Sequence, residues 1–139
     1  MNITVNFKKY RRVLLATGLL LAGICGPLCI LAQEKNTDKT ITQKKFQRLS
    51  KKKNTVILDV RTTEEYKAGH IPSATQIDVL QTEDFKARVA GLDKNKTYLL
   101  YCRSGKRSRD AMNIMKDMGF TRLFDLEGGF SGWTGAKEN

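Results

Sequence analysis

Thr97-Tyr98-Leu99-Leu100-Tyr101 is a run of apolar, aromatic and β-branched side chains that reads as a buried strand. A short loop later, Asp110 to Met118 carries Ala111, Ile114, Met115 and Met118 on one helical face, and Gly119 follows where helix C-termini favour glycine. A buried strand feeding a helix through a short loop restricts the fold more than any other feature of the chain. Such strands run parallel, with the connecting helices packed back over the sheet. The same alternation recurs along the sequence. Thr55-Val56-Ile57-Leu58-Asp59-Val60 is nearly continuous and apolar, as a central parallel strand is; Thr121 to Leu126 reads as a last strand, and Thr40-Ile41 and Ala74 to Asp78 as shorter ones.

The intervening segments have helical patterns. Thr42 is placed to cap a helix with Phe46 and Leu49 inward and Lys44, Lys45, Lys51, Lys52 and Lys53 outward. Thr62 and Glu65 form a capping-box pattern opening a short helix that ends near Gly69. Thr82-Glu83-Asp84 starts another, with Phe85, Val89 and Leu92 on one face. The expected fold is α/β, with a mostly parallel central sheet covered by helices on both faces.

Between the strand and the helix lies Cys102-Arg103-Ser104-Gly105-Lys106-Arg107-Ser108. A loop at the carboxyl end of a parallel strand is where α/β sheets bind ligands. Backbone N–H groups and the helix dipole there stabilise negative charge, and three cations add to the field. Free cysteine has a pKa of about 8.5, and electropositive helix starts lower it to roughly 3.5–7.5. Cys102 reads as a nucleophilic thiolate beside an anion site; the plainer alternative is a small buried hydrophobe flanked by solvated cations. Asp59 and Arg61, at the end of the second strand, read either as a structural ion pair or as a pair that places a cation behind the loop. His70 precedes Ile71-Pro72, a constrained turn that a ring nitrogen can fasten to the backbone, so a catalytic base is not assigned to it.

Cys102-Arg103-Ser104-Gly105-Lys106-Arg107-Ser108 resembles the active-site loop of rhodaneses, sulfurtransferases whose cysteine carries a persulfide. Three more stretches follow that family's order. Leu58-Asp59-Val60-Arg61 with Glu64-Glu65-Tyr66 resembles its first strand-helix signature. Gly69-His70-Ile71-Pro72-Ser73-Ala74 resembles its Gly-His-Ile-Pro-Gly-Ala turn, with Ser73 in place of glycine. Glu127-Gly128-Gly129-Phe130 with Trp133 resembles its C-terminal segment. The resemblance implies a three-layer rhodanese-like domain and a double displacement. The Cys102 thiolate takes the outer sulfur of an anionic donor such as thiosulfate, and a thiol or cyanide accepts it. N–H groups from Ser104 to Ser108 are then expected to stabilise the persulfide, with Arg103, Lys106 and Arg107 receiving the donor.

Two other classes compete with this reading. One is a non-catalytic domain that binds anions or a partner protein, which the retained cysteine and loop cations argue against. The other is a phosphatase or arsenate reductase, whose loops have the pattern Cys-x5-Arg; here four residues separate Cys102 from Arg107, a shorter cradle.

Residues 1–32 read as an export signal or an uncleaved membrane anchor: Lys8, Lys9, Arg11 and Arg12 precede an uncharged stretch from Val13 to Ala32. Either way the domain is expected outside the cytoplasm. Residues 33–39 read as a linker and 40–137 as the domain. Cys25 and Cys29 lie in the leader, so once it is removed Cys102 stands alone, which excludes an intramolecular disulfide and dithiol chemistry. One cysteine and one histidine are too few soft ligands for a metal site, and the implied chemistry needs no cofactor. Without the four leader cations the net charge falls from +11 to +7, a basic surface that attracts small anions. No aromatic-interleaved basic module points to nucleic acid. A monomer is expected.

Overall fold

The computed structural model describes residues 39–139. The leader assigned to 1–32, with its signal and anchor readings and residues 13–32 as a possible tether, lies outside the described residues, as does the linker up to residue 38. Lys39, read as the linker's last residue, instead begins a strand. Among the described residues no helix is long and apolar enough to cross a membrane.

Five strands and four helices alternate: β1 (Lys39–Ile41), α1 (Gln43–Ser50), β2 (Thr55–Asp59), α2 (Thr63–Lys67), β3 (Ala74–Gln76), α3 (Thr82–Ala90), β4 (Thr97–Tyr101), α4 (Lys106–Asp117) and β5 (Leu123–Leu126). A 3-10 turn, Phe130–Gly132, follows. The sheet order is β1-β5-β4-β2-β3, and every pairing is parallel. From β2 the chain first moves outward to β3, then crosses back to β4 on the other side of β2. The carboxyl ends of β2 and β4 therefore flank the point where the winding reverses, the usual ligand position in such sheets.

Alternation along the central strands divides the core into two layers. Leu58, Tyr98 and Leu100 pack with Phe85 and Val89 of α3 and Ala111 and Met115 of α4. Ile57, Leu99 and Tyr101 face the other way, against Phe46 of α1 and Trp133. Being buried on both faces explains why β2 and β4 look continuously apolar rather than alternating.

Local details depart from the sequence reading in informative ways. Helix α4 starts at Lys106, four residues before the expected Asp110, because Gly105 takes φ 101° and turns the chain directly into the helix. Thr42 stands before α1 but makes no side-chain cap; its carbonyl accepts the first helical bond, from Phe46. The Thr62–Glu65 capping box is complete in both directions. The C-terminus extends past 137: His70 and Glu138 exchange backbone hydrogen bonds of 2.8 and 2.9 Å.

Candidate active site

Tyr101 ends β4 fully buried, and the next residue, Cys102, is 1% exposed. Its sulfur lies inside the curve of the loop. The Gly105 N–H donates to Sγ at 3.1 Å, and the Ser108 hydroxyl lies 3.5 Å from it. Burial works to raise the thiol's pKa. The hydroxyl of Ser108 and the backbone N–H groups of Ser108, Gly105 and Ser104 outweigh that, and the net pKa lies below the ordinary thiol value. Cys102 is the free cysteine of the described residues.

The three cations of the loop separate into two kinds. Arg103 and Lys106 are exposed and form no ion pair among the described residues. Arg107, expected to receive the donor, is bound elsewhere: its two terminal nitrogens reach the Glu65 carboxylate at 2.7 and 2.8 Å. The guanidinium holds Glu65 at a pKa of about 2, well below the usual carboxylate range. Glu65 thus closes the capping box of α2 and ties the start of α4 to it.

Asp59 and Arg61 form a buried bidentate pair. Arg61 Nε lies 2.9 and 3.0 Å from the two carboxylate oxygens and Nη2 is 2.6 Å from one of them. Nη2 also donates to the Gly69 carbonyl at 2.8 Å, and the guanidinium stacks over Phe130 at 4.1 Å. At 4% exposure Arg61 is a structural bolt between β2, the Gly69 turn and Phe130. It also lines a cleft of about 260 Å³ with Glu65, Ala68, Gly69, Arg103, Phe130 and Ser131. His70 behaves as a fastener: Nδ1 is 3.1 Å from the Tyr66 carbonyl, and the ring stacks on Tyr66 with centroids 3.8 Å apart.

Two parts of the site were not assigned from sequence. The Gly128-Gly129 turn presses against the back of the loop. Phe130 N–H donates to the Cys102 carbonyl at 2.8 Å and Ser131 N–H to that of Arg103 at 3.0 Å. A Cβ on Gly129 would stand 2.6 Å from both carbonyl oxygens, which is why no side chain is present there. The double glycine was the available signal. The other is Asp125, fully buried on β5 beneath the loop; an acid inside the apolar run Leu123 to Leu126 was its signal.

A doubly covered parallel sheet with a donor-lined thiol at its switch point defines a class of single-cysteine α/β domain. Residues 42–136 match the rhodanese-like domain family, and the chain belongs to it. Curated relatives include the thiosulfate sulfurtransferase GlpE of Coxiella burnetii, 30% identical over 95 residues, covering 68% of this chain and 86% of that one. YrkF of Bacillus subtilis, named for a suggested role as a sulfur carrier, is 38% identical over 82 residues, 59% of this chain. The match spans 43% of YrkF, less than half of that protein. Among solved structures, the Alr3790 protein of Anabaena superposes with a TM-score of 0.61 at 28% identity, covering 69% of this chain and 78% of that one. The family is one of sulfurtransferases and sulfur carriers.

Proposed function

We propose that this protein transfers sulfane sulfur through a persulfide on Cys102. The convergence of the Gly105 N–H and the Ser108 hydroxyl on a buried thiol, the free cysteine of the described residues, carries the reading. The Cys102 thiolate attacks the outer sulfur of a thiosulfate-like donor. The S–S bond of the donor breaks, sulfite leaves with the bonding pair, and the sulfur remains on Cys102. Donors already aimed at Sγ stabilise the anionic persulfide without rearrangement. Arg103 and Lys106, exposed and without an ion pair among the described residues, attract the anionic donor, while Arg107 shapes the loop through Glu65. A thiol or cyanide then attacks the terminal sulfur and restores the thiolate. The leader adds the proposal that this happens outside the cytoplasm, with the domain released or held by residues 13–32; fractionation with N-terminal sequencing separates the two.

Mass spectrometry of the full chain after thiosulfate treatment tests the chemistry. A gain of about 32 Da on the Cys102 peptide, removed by cyanide and absent in Cys102→Ser, is expected. An adduct that persists in the serine variant overturns the assignment.

A further inference from the structure

The basic charge of the domain is gathered in one place. Residues 39–53 hold seven cations and no acid: Lys39, Lys44, Lys45, Arg48 and Lys51 to Lys53. Residues 54–139 hold thirteen cations against twelve acids and are close to neutral. Six of the seven are exposed, and Lys45 is half-buried with its ammonium 5.7 Å from the centre of the Phe124 ring. None of the seven makes an ion pair among the described residues.

This arrangement works against the helix that carries most of it. A helix N-terminus has partial positive charge and favours acids in its first turn. Helices α2 and α3 follow that rule, with Glu64 and Glu65 in one and Glu83 and Asp84 in the other. Helix α1 opens instead on Gln43, Lys44 and Lys45, without an acid and without a side-chain cap from Thr42. Arg48 then repeats the charge of Lys44 four residues on, a repulsive spacing. Helix α4 also lacks an early acid, but its cations open onto the anion site of the Cys102 loop. The cations of α1 have no such counterpart among the described residues.

The chemistry of the patch selects among anionic partners. Six of the seven cations are lysines, compact hydrated charges on flexible stems, rather than arginines with a planar fork. Phe46, the aromatic residue of the segment, is 0% exposed, so the segment offers no ring for a base to stack on. A fluid anionic surface asks only for charges of one sign on one face. Six residues, 33–38, separate the uncharged stretch 13–32 from Lys39, and six extended residues reach at most about 20 Å.

We propose that the β1–α1 segment is a docking face for anionic lipid headgroups, held by Lys44, Arg48 and Lys51 to Lys53 through their collective charge. When residues 13–32 stay in the bilayer, the contact is intramolecular and strengthened by effective concentration; without them it is a weaker, reversible one. The face is also placed to leave the thiol free. Helix α1 leads from the carboxyl end of β1 to the amino end of β2, which begins at Thr55 just after the lysine run. Strand β4 lies parallel to β2, with Thr97 opposite Thr55, and Cys102 follows its carboxyl end. The lysine run and the thiol therefore stand at opposite ends of the sheet, about 16 Å of strand apart.

Lysine footprinting reads the contact residue by residue. The full chain is mixed with preformed vesicles of phosphatidylcholine, alone or with about a third phosphatidylglycerol, then acetylated with a membrane-impermeant reagent and mapped by mass spectrometry. At about 0.1 M salt, Lys44 and the run Lys51 to Lys53 are expected to label about threefold or more slowly on the anionic vesicles. Lys86 and Lys94, exposed elsewhere on the domain, are expected to label equally on both, and the difference should vanish near ~1 M salt. Reversing the run with Lys51→Glu, Lys52→Glu and Lys53→Glu should abolish the protection of Lys44 and leave sulfur loading of Cys102 unchanged. Equal labelling of wild type on neutral and anionic vesicles overturns the proposal whether or not the triple variant folds. Protection spread evenly over all exposed lysines overturns it as well. A single-stranded oligonucleotide that shields the same lysines more strongly than the anionic vesicles overturns it in favour of nucleic acid. The inference is independent of sulfur transfer: a sulfur-loading protein without protection sinks only the docking, and protection in a protein that takes no sulfur sinks only the reaction.

Discussion

Replacing Gly129 with alanine should disable the site out of proportion to the size of the change. Gly129 has φ 58° and ψ −157°, a region that residues with a side chain rarely enter. Holding alanine there costs about 1–3 kcal/mol in backbone strain. The new Cβ would meet the carbonyl oxygens of Cys102 and Arg103 at 2.6 Å, and both are backbone, so no side chain can turn aside. Overpacking of this kind costs about 1–3 kcal/mol more. The combined loss, roughly 2–6 kcal/mol, is a large part of the 5–15 kcal/mol typical of a small domain, and over most of that range the variant stays folded at room temperature. Relief requires the loop to retreat, which stretches the 2.8 and 3.0 Å bonds from Phe130 and Ser131 and carries Sγ away from the Gly105 N–H. Urea unfolding should show the lower midpoint. Persulfide loading at 20 °C, where the variant is folded, should fall by more than tenfold. Wild-type loading in a variant whose midpoint has dropped would refute the link between this turn and the thiol; an unchanged midpoint would refute the steric argument itself.

The Glu65–Arg107 pair should impose an acid limit on stability. Because Glu65 is depressed to about 2 from a usual 4.5, its contribution is complete above pH ~4.5 and is lost as pH falls toward 2. Glu65→Gln should therefore lower stability by about 1–2 kcal/mol at pH 7, the pair being part-exposed, and the gap to wild type in urea titrations should close near pH 2. Arg61→Leu should cost about 3–5 kcal/mol by stranding the Asp59 carboxylate, with Asp59→Asn added to it restoring part of the loss; equal midpoints for the single and double variants would contradict the pairing.

What could be foreseen followed from short-range patterns. The strand, loop and helix around Cys102 occupy consecutive residues, and the capping box needs only Thr62 and Glu65. The expectation that Arg107 receives the donor missed its partner because Glu65 is 42 residues away in sequence. A carboxylate already assigned to a cap gave no hint of a second duty. The start of α4 depended on the positive φ of Gly105, which a glycine permits without announcing. The Gly128-Gly129 pair was visible as a turn, but what it presses on was decided by the neighbouring position of β5 and β4 in the sheet. Asp125 looked like one more residue of an apolar strand until its burial beneath the loop set it apart.

The attachments of the Cys102 loop also govern how it can breathe. Most binding loops open alone at little free-energy cost. Here Arg107 is anchored to α2, and the carbonyls of Cys102 and Arg103 are anchored to the turn after β5. Releasing the loop means separating three segments distant in the chain, so its opening belongs with that of the sheet's centre. The entropy of ordering the cradle is therefore lost when the protein folds rather than when sulfur arrives. Slow amide exchange at Gly105, close to that of β4, is the dynamic signature of a loop built in this way.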